Sequence, residues 1–587
     1  MTGRASLERL APWLLVVVVA AALAVRLHGL RERTLIQAEA YAPRIDYPEW
    51  CENPYPRVTL ADTLRSVASD DKHPPAYYVL LWLWTGAFGT GIGSLRLPSV
   101  LLGVATILGL YRLARRDHGG GIALFAAALL SANCVHIFYS QIARMWVPAT
   151  LLAVASVALL ADLERGSTRL RRAAYVVVSA LGLWSEYYFF PFLGAQLLST
   201  LFGRLPPARA RSLLRLQAAA FLLACPIVTY MRVHSFFRHE LADDTWGAVT
   251  ELLGFNGMVH RAALLPWRAP WGAALYALLV AAGLALLVAG ARWRLAAAQA
   301  QAARAASAEP SAAERETPRS SNVAPFAAAV VASLGSLALA AFHVGGWKIN
   351  LVAALLPWPL LLLWRAVDSR WEQLVAPLQR IRGTRIVRLL CADRYAALIV
   401  LTPLPLVAVS LAVHPVIVSR GLLLLAPFCL LLVACGVAAL ARLWIAAGAV
   451  TAALLTMGAL GVRHAWTTYH VHPRDYLGLS QRLTPLLRQG EPLVLENGWW
   501  SQPLLYYVNH RLARIEPAGP WDRRLRDSPL AAGSGAAIAS FWFVVWRPEP
   551  LLEHGVAAQD DEYATAGFAR TGRVDARGAA ALHYERR

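Results

Sequence analysis

Residues 94–116 read SLRLPSVLLGVATILGLYRLARR, an apolar run that follows one arginine and ends in three. As a helix, which rises about 1.5 Å per residue, this run is long enough to cross a hydrocarbon core of about 30 Å. Similar apolar runs recur along the chain. Lipid offers no partner to backbone N–H and C=O groups, so such runs must be helical. The sequence therefore predicts a polytopic α-helical membrane protein.

Composition agrees with this class and argues against two others. The chain has 587 residues, of which 57% are hydrophobic and 16% charged, and its mean hydropathy is +0.46. These values exclude a soluble multidomain enzyme. The net charge of +20 suggests nucleic acid as a partner, but the arginines lie in short segments between apolar runs. That pattern is typical of the cytoplasmic loops of membrane proteins, so we expect no nucleic acid partner.

Placing every Arg-rich connection on the cytoplasmic side gives about thirteen crossings. We expect them near residues 11–27, 95–113, 120–139, 146–163, 172–187, 189–203, 213–231, 272–290, 323–342, 349–365, 395–413, 420–440 and 443–461. The pair within 172–203 has an alternative, one long bent helix plus a re-entrant piece.

Two domains follow from this layout. A transmembrane bundle covers 1–463, and a soluble α/β domain on the outer face covers 464–587, where short apolar runs such as 492–495 and 541–546 indicate buried strands. Within the bundle, 28–74 is the first outer loop, 75–91 an interfacial helix, and 291–322 a cytoplasmic linker.

The first outer loop ends in DDKHPPAYY, residues 70–78, which brings acids, a cation and a histidine to the membrane surface. Polar groups at that depth favour a site over a linker. The alternative is an interfacial turn that the polar residues cap, with Pro74 and Pro75 starting a helix. Tyr77, Tyr78, Trp82 and Trp84 are expected to form an interfacial aromatic belt first and a wall of a lipid groove second.

Three motifs carry a family resemblance: HPPAYY at 73–78, SLRLPS at 94–99 and FYSQIARMW at 138–146. Their order resembles the GT-C class of membrane glycosyltransferases, in the branch of dolichyl-phosphate-mannose protein mannosyltransferases and aminoarabinose transferases. SRGLLLLAPFCLLL at 419–432 and RDYLGLSQRL at 474–483 resemble the same branch more weakly. The resemblance implies a GT-C fold and inverting transfer of a sugar from a polyprenyl phosphate.

The chain departs from the family pattern at three positions. Ala38 stands where the family has the aspartate of an Asp-Glu pair, although Glu39 persists. Ile142 replaces a glutamate, and Glu186 stands where a histidine is common. These changes leave three alternatives open: a relocated base, an altered acceptor, or lost activity.

Such a transfer needs a carboxylate to take the acceptor's proton and cations to stabilise the leaving phosphate. Glu39 and Asp71 are the catalytic candidates, with Asp46, Glu49 and Glu52 as substitutes for Glu39 that an exposed loop also explains. The candidates for binding the donor phosphate are Lys72, His73, Arg144 and Arg420. The candidates for the pocket wall are Tyr77, Tyr78, Gln141, Glu186 and Lys348, with His343 and His414 as neighbours that also fit simple interfacial anchoring.

Asp71 and His73 are also candidate ligands for a divalent cation, although Asp-x-His alone is a weak metal motif. The identity of any metal is unknown.

The sequence as a whole predicts a multi-pass protein of the inner membrane, with its active site facing the periplasm. Expected partners are a polyprenyl-phosphate-linked sugar, membrane lipids, and an acceptor that is a lipid, a polysaccharide or a protein. The competing interpretation is a catalytically degenerate protein that binds or translocates a polyprenyl-phosphate sugar, which Ala38 suggests directly.

Overall fold

The structure is a computed structural model of the chain. It describes residues 2–36, 39, 42–45, 58–68, 73–166, 168–203, 205–230, 281–297, 299, 323–344, 346–371, 373, 393–412, 416–417, 420–467, 475–488, 491–495, 503–504, 506–508, 513–517, 539–546 and 549–587.

Helices dominate the described part of the chain. In order they are α1 (Thr2–Leu27), α2 (Leu60–Ser66), α3 (Ala76–Phe88), α4 (Ile92–His118), α5 (Gly120–Ser131), α6 (Cys134–Ser140), α7 (Trp146–Arg165), α8 (Arg169–Leu183), α9 (Phe189–Phe202), α10 (Pro207–Leu223), α11 (Val323–Ala341), α12 (Trp347–Leu355), α13 (Pro357–Ser369), α14 (Arg394–Leu401), α15 (Pro403–Ala412), α16 (Ala426–Ala439), α17 (Trp444–Thr467), α18 (Tyr476–Leu483) and α19 (Glu549–Thr565). Short 3-10 turns cover Cys225–Tyr230, Gly421–Leu425, Leu440–Arg442 and Thr484–Leu486.

Several helices begin where a side chain satisfies the first free N–H groups. Asn133 accepts from the His136 amide before α6, and Thr168 accepts from the Arg171 amide before α8. Asp393 accepts from two amides before α14. Short polar side chains of this kind stabilise helix starts by about 1 kcal/mol each, so local sequence sets these boundaries.

Nine helical segments of the described residues are long and apolar enough to cross a membrane, and some of them join two consecutive helices. They are Leu10–Leu27, Ile92–His118, Trp146–Arg165, Pro207–Tyr230, Ala324–Ala341, Trp347–Ser369, Arg394–Ala412, Gly421–Ala439 and Trp444–Arg463. Each coincides with a predicted crossing, and the predicted class of polytopic helical membrane protein is confirmed.

The other predicted crossings look different. The crossing at 120–139 is the pair α5 and α6, bent by 63°, which makes a tenth span if it is counted as one. Helices α8 and α9 occupy 172–203 but have only 15 and 14 residues. The crossing at 272–290 lies partly outside the described residues, so the count of thirteen stays a prediction. Helix α3 has 13 residues, about 20 Å, too short to span.

The chain divides into two compact units. The first comprises residues 1–28, 67–77 and 97–465, and the second comprises 29–66, 78–96 and 466–587. The predicted domain boundary between residues 463 and 464 stays a prediction.

The first unit is built around buried aromatic and aliphatic side chains of the long helices. The ring of Phe428 on α16 stacks against Phe192 and Tyr395, with centroids 5.9 Å away in both cases. Helix α16 is buried along almost its whole length. A helix that is apolar on all sides and covered by neighbours is central in a bundle.

The second unit contains a five-stranded mixed sheet in the order β2-β1-β3-β5-β4. The strands are β1 (Glu491–Leu495), β2 (Ala513–Pro517), β3 (Ser540–Trp546), β4 (Phe568–Ala576) and β5 (Ala579–Arg586). β1 is parallel to β2 and β3, while β5 is antiparallel to β3 and β4. Both apolar runs expected as strands are buried strands, which confirms the small C-terminal α/β domain.

A polar chain crosses this sheet. Glu491 of β1 accepts from Ser540 at 2.6 Å and pairs with His583 at 2.7 Å, and His583 also bonds Thr571 at 2.7 Å. Burial alone would raise the pKa of Glu491, but the hydrogen bonds from Ser540 and His583 outweigh it and lower that pKa below its usual 4.5. Glu491 thus stabilises the sheet while it is ionised.

Candidate active site

Two arginines of the first unit share one aromatic ring. The guanidinium carbon of Arg144 lies 5.6 Å from the centroid of the Trp146 ring, and that of Arg420 lies 5.5 Å from it. Arg144 is buried and Arg420 half-buried. A tryptophan face attracts cations through its quadrupole and fixes their position. The two predicted phosphate-binding arginines are therefore brought together.

Trp146 is also the first residue of α7, a helix of 20 residues whose start has no capping side chain. The first N–H groups of a helix and its dipole favour a negative charge at this end. Two guanidinium groups beside an uncapped helix start are able to donate bidentate hydrogen bonds to an anion. The geometry suits a phosphate better than a neutral sugar.

Arg144 is held by a turn that is anchored to the end of α1. Gln141 donates from its Nε2 to the carbonyl oxygens of Arg26 and His28, at 2.9 Å in both cases. The fully buried Arg26 donates to the Ser140 hydroxyl at 3.2 Å and bonds His136 Nδ1 at 2.9 Å. Gln141 therefore anchors the backbone of this turn, next to the arginine pair.

Tyr188 packs beside the backbone next to Arg420. The Tyr188 hydroxyl donates to the carbonyl oxygen of Val416 at 2.6 Å. A Cβ placed on Gly421 would lie 2.4 Å from the Tyr188 ring, a distance that real contacts do not reach. The glycine beside Arg420 is thus required for the close approach of the ring.

Glu186 completes this group of charges. It lies in the turn between α8 and α9, is 4% exposed, and interacts electrostatically with Arg420 and Arg144. Its carboxylate accepts from the amides of Tyr188 and Tyr187. Its Oε2 has no hydrogen-bond partner among the described residues. A buried carboxylate that interacts with two guanidinium groups offsets part of their charge and leaves a net positive charge.

Glu39, the first candidate base, forms a buried ion pair in the second unit. Arg96 donates from Nε to Oε1 at 2.8 Å and from Nη2 to Oε2 at 2.6 Å, and both side chains are at most 1% exposed. Arg96 also donates to the carbonyl oxygens of Leu30, Arg33 and Thr34. All five N–H donors of Arg96 are used, so it ties the first loop to the start of α4.

Two tyrosines of the second unit meet this loop region. The Tyr507 hydroxyl accepts from the Leu35 amide at 2.6 Å, and the Tyr506 hydroxyl donates to the Thr90 carbonyl at 2.9 Å. Residues far apart in sequence thus fix both sides of the Glu39–Arg96 pair.

The string at 70–78 is described only from His73 onward. Asp71 and Lys72 lie outside the described residues, so their roles stay predictions. Tyr77 and Tyr78 are each 1% exposed, and the Tyr77 hydroxyl bonds Ser99 at 2.7 Å. The expected aromatic belt is therefore wrong for these two residues, because they pack inside the fold.

The remaining candidates do not join the arginine pair. Lys348 is exposed, with its Nζ 5.8 Å from the Trp347 ring centroid. His343 is exposed, and His414 lies outside the described residues, as do Asp46, Glu49 and Glu52. In the described part of the chain, no group of three His, Cys, Asp or Glu side chains is placed to hold a metal. Metal binding by Asp71 and His73 stays a prediction.

Sequence reasoning did not single out Trp146, Tyr188 or Arg26. Trp146 follows Arg144 by two residues, and its position at a helix start was the available signal. Arg26 carried another signal, since a cation inside an apolar run is costly and usually functional or paired.

Residues 72–231 match the family model of the dolichyl-phosphate-mannose-protein mannosyltransferases. A search of curated protein sequences gave no significant match. The resemblance stated from the motifs is confirmed over the matched region.

Solved structures with some likeness include ArnT from Cupriavidus metallidurans in the apo state, at 14% identity, with 97% of each chain covered and a TM-score of 0.40. ArnT bound to undecaprenyl phosphate gives 13% identity, the same coverage and a TM-score of 0.39. The apo oligosaccharyltransferase from Archaeoglobus fulgidus gives 12% identity, with 91% of this chain and 69% of that chain covered and a TM-score of 0.41. At these TM-scores no chemistry is carried over.

Proposed function

We propose that this chain is a membrane glycosyltransferase of the GT-C class, which its match to the mannosyltransferase family model over residues 72–231 supports, and that it transfers a sugar from a polyprenyl phosphate at the arginine pair. The observation that best supports the proposal is that Arg144 and Arg420 both lie against the Trp146 ring at the start of α7. These groups bind the phosphate of the donor and stabilise it as it leaves.

In this proposal the isoprenoid chain lies in the membrane beside the apolar helices. The donor sugar and the acceptor meet on the periplasmic side of the inner membrane, where the first loop lies in the predicted topology. The acceptor is a lipid, a polysaccharide or a protein.

The further part of the proposal is that transfer inverts the anomeric carbon, with a first-loop carboxylate as general base. In such a displacement the base and the leaving phosphate lie on opposite sides of the anomeric carbon. Glu186 contacts the phosphate-binding arginines electrostatically, so it suits the leaving-group side. Glu39 and Asp71 remain the candidates for the base, and Glu39 acts only when one oxygen leaves Arg96.

One observation favours a second candidate function, a protein that binds or translocates the lipid-linked sugar without transfer. Ala38 removes the family's aspartate, and both oxygens of Glu39 are occupied by Arg96. A protein of this kind retains the arginine pair and lacks a free base.

The test is sugar transfer from a panel of radiolabelled polyprenyl-phosphate monosaccharides by the purified full-length protein in membranes. We expect transfer from one donor, reduced at least tenfold in Arg144→Gln and in Arg420→Gln. The matched control is Arg365→Gln, which removes an exposed arginine that lies over the Phe326 ring. Donor binding without transfer supports the second candidate, and transfer unchanged in both arginine variants contradicts the proposal.

A further inference from the structure

A cavity of about 460 Å³ lies between the C-terminal ends of α4 and α7, at the end of the bundle that carries the Arg-rich connections. Its wall combines three arginines with apolar side chains. The lining residues are Tyr111, Arg112, Leu113, Arg115, Arg116, Ala158 and Asp162. This cavity is separate from the arginine pair at the start of α7, because it lies at the other end of that helix.

Among the described residues, every carboxylate near the cavity has a cationic partner. Asp117 bonds Arg116 at 3.3 Å and Arg165 at 2.8 Å. Three further pairs are close: Arg116 with Asp162, Arg394 with Glu164, and Arg294 with Asp393. These pairs hold the ends of α4, α7 and α14 together. These pairs also neutralise the negative charge of the nearby carboxylates.

Two arginines of the cavity are left over from this network. Neither Arg112 nor Arg115 has a carboxylate partner among the described residues, and both are exposed. The Arg115 guanidinium lies 5.9 Å from the centroid of the Tyr111 ring, which keeps it at the cavity. The buried Nη2 of Arg116 has no hydrogen-bond partner in the described part of the chain. The cavity therefore offers unused donors and a net positive charge.

We propose that this cavity binds the phosphodiester headgroup of an anionic membrane phospholipid. Both α4 and α7 are long enough to cross the bilayer, so their ends lie at the depth of lipid phosphates. The partly exposed Ala158 contributes an apolar part of the wall on which an acyl chain packs, a feature that a free phosphate ion does not need. Basic pockets between membrane helices are known to hold such headgroups.

Helix dipoles work against an anion at this place, since the C-terminal end of a helix carries partial negative charge. The binding must therefore come from the arginines themselves. At about 1 kcal/mol for each arginine near an anionic surface, removing two predicts a loss of about 30-fold, at 1.4 kcal/mol for each factor of ten.

The experiment measures lipid binding to the delipidated full-length protein in detergent by native mass spectrometry. Phosphatidylglycerol is the probe, phosphatidylcholine the neutral comparison, and inorganic phosphate the competitor. The variant is Arg112→Gln with Arg115→Gln. The matched control is Arg169→Gln with Arg171→Gln, which removes two exposed arginines at the start of α8 and leaves the cavity intact.

We expect the parent and the control to bind phosphatidylglycerol in preference to phosphatidylcholine, and the cavity variant to bind it about 30-fold more weakly. Binding restored by Arg112→Lys with Arg115→Lys further supports an electrostatic site and shows that the fold is intact. If the cavity variant and the control lose phosphatidylglycerol binding equally, the proposal is overturned. Displacement of the lipid by millimolar phosphate, which identifies a site for a free phosphate ion, also overturns it.

Discussion

The Glu39–Arg96 pair gives the sharpest prediction, because its two proposed roles lead to opposite results. As an ion pair buried to at most 1% exposure, it stabilises the first loop strongly. Breaking a buried pair by removing one partner typically costs about 3–5 kcal/mol, since the other charge stays buried. Glu39→Gln is therefore expected to lower the free energy of opening of the first loop by about that amount.

The assay is amide hydrogen exchange on residues 29–45 of the full-length protein in membranes. The Ile36 amide donates directly to Glu39 Oε2 at 3.2 Å, so it reports on the pair. A loss of about 3–5 kcal/mol corresponds to a fall in protection of about 140- to 3,700-fold, at 1.4 kcal/mol for each factor of ten. The control is Glu32→Gln, which neutralises an exposed carboxylate of the same loop.

Amide protection of the first loop is expected to fall at least as far in Arg96→Gln as in Glu39→Gln, because Arg96→Gln also frees three backbone carbonyls. The double variant should lose less free energy of opening than the two single variants lose together, because the two residues are coupled. Unchanged protection in Glu39→Gln, together with complete loss of sugar transfer, would refute the stabilising role and favour Glu39 as the base.

Three further predictions concern other parts of the fold. Gly421→Ala should weaken phosphate binding at least tenfold, because its Cβ would collide with the Tyr188 ring and displace the neighbouring arginine, whereas Gly448→Ala, with open space around it, should not. The affinity of each of these two variants in membranes for a polyprenyl phosphate measures the effect. Since the pKa of Glu491 is lowered on folding, its stabilisation is present above its usual pKa of 4.5 and is lost as the pH falls through the lower folded value. Glu491→Gln should abolish this acid slope in thermal unfolding of the full chain between pH 3 and 6, and an unaltered slope would contradict the assignment. Arg26→Gln should lower the thermal stability of the protein by a few kcal/mol through its lost buried hydrogen bonds, and an unchanged melting temperature would disprove this role.

The transmembrane helices were predictable because the information is local. An apolar run closed by arginines, such as 94–116, indicates the length of its helix, and α4 follows it closely. The same holds for the C-terminal strands, since the run at 541–546 is apolar and lies within the buried strand β3. Where the runs are short, as at 172–203, composition did not determine whether a helix crosses.

The site depended on pairings that no local pattern contains. Arg96 is 57 residues from Glu39, and no local pattern indicates that the candidate base has a buried partner. Burial of Tyr77 likewise involves a later helix, since its hydroxyl bonds Ser99 of α4. In contrast, Arg144 and Arg420 were identified through the family motifs, and the structure adds the ring of Trp146 that brings them together.

The arginine pair is proposed to bind the donor's phosphate, and a direct binding measurement tests this without requiring turnover. The measurement is the affinity of the full-length protein in nanodiscs for a polyprenyl phosphate, compared among the parent, Arg144→Gln, Arg420→Gln and the control Arg365→Gln. A charge-assisted hydrogen bond is worth about 1.5–3 kcal/mol, so each of the two site variants should bind at least tenfold more weakly while the control binds as the parent does. Equal affinity in all four proteins would contradict the claim.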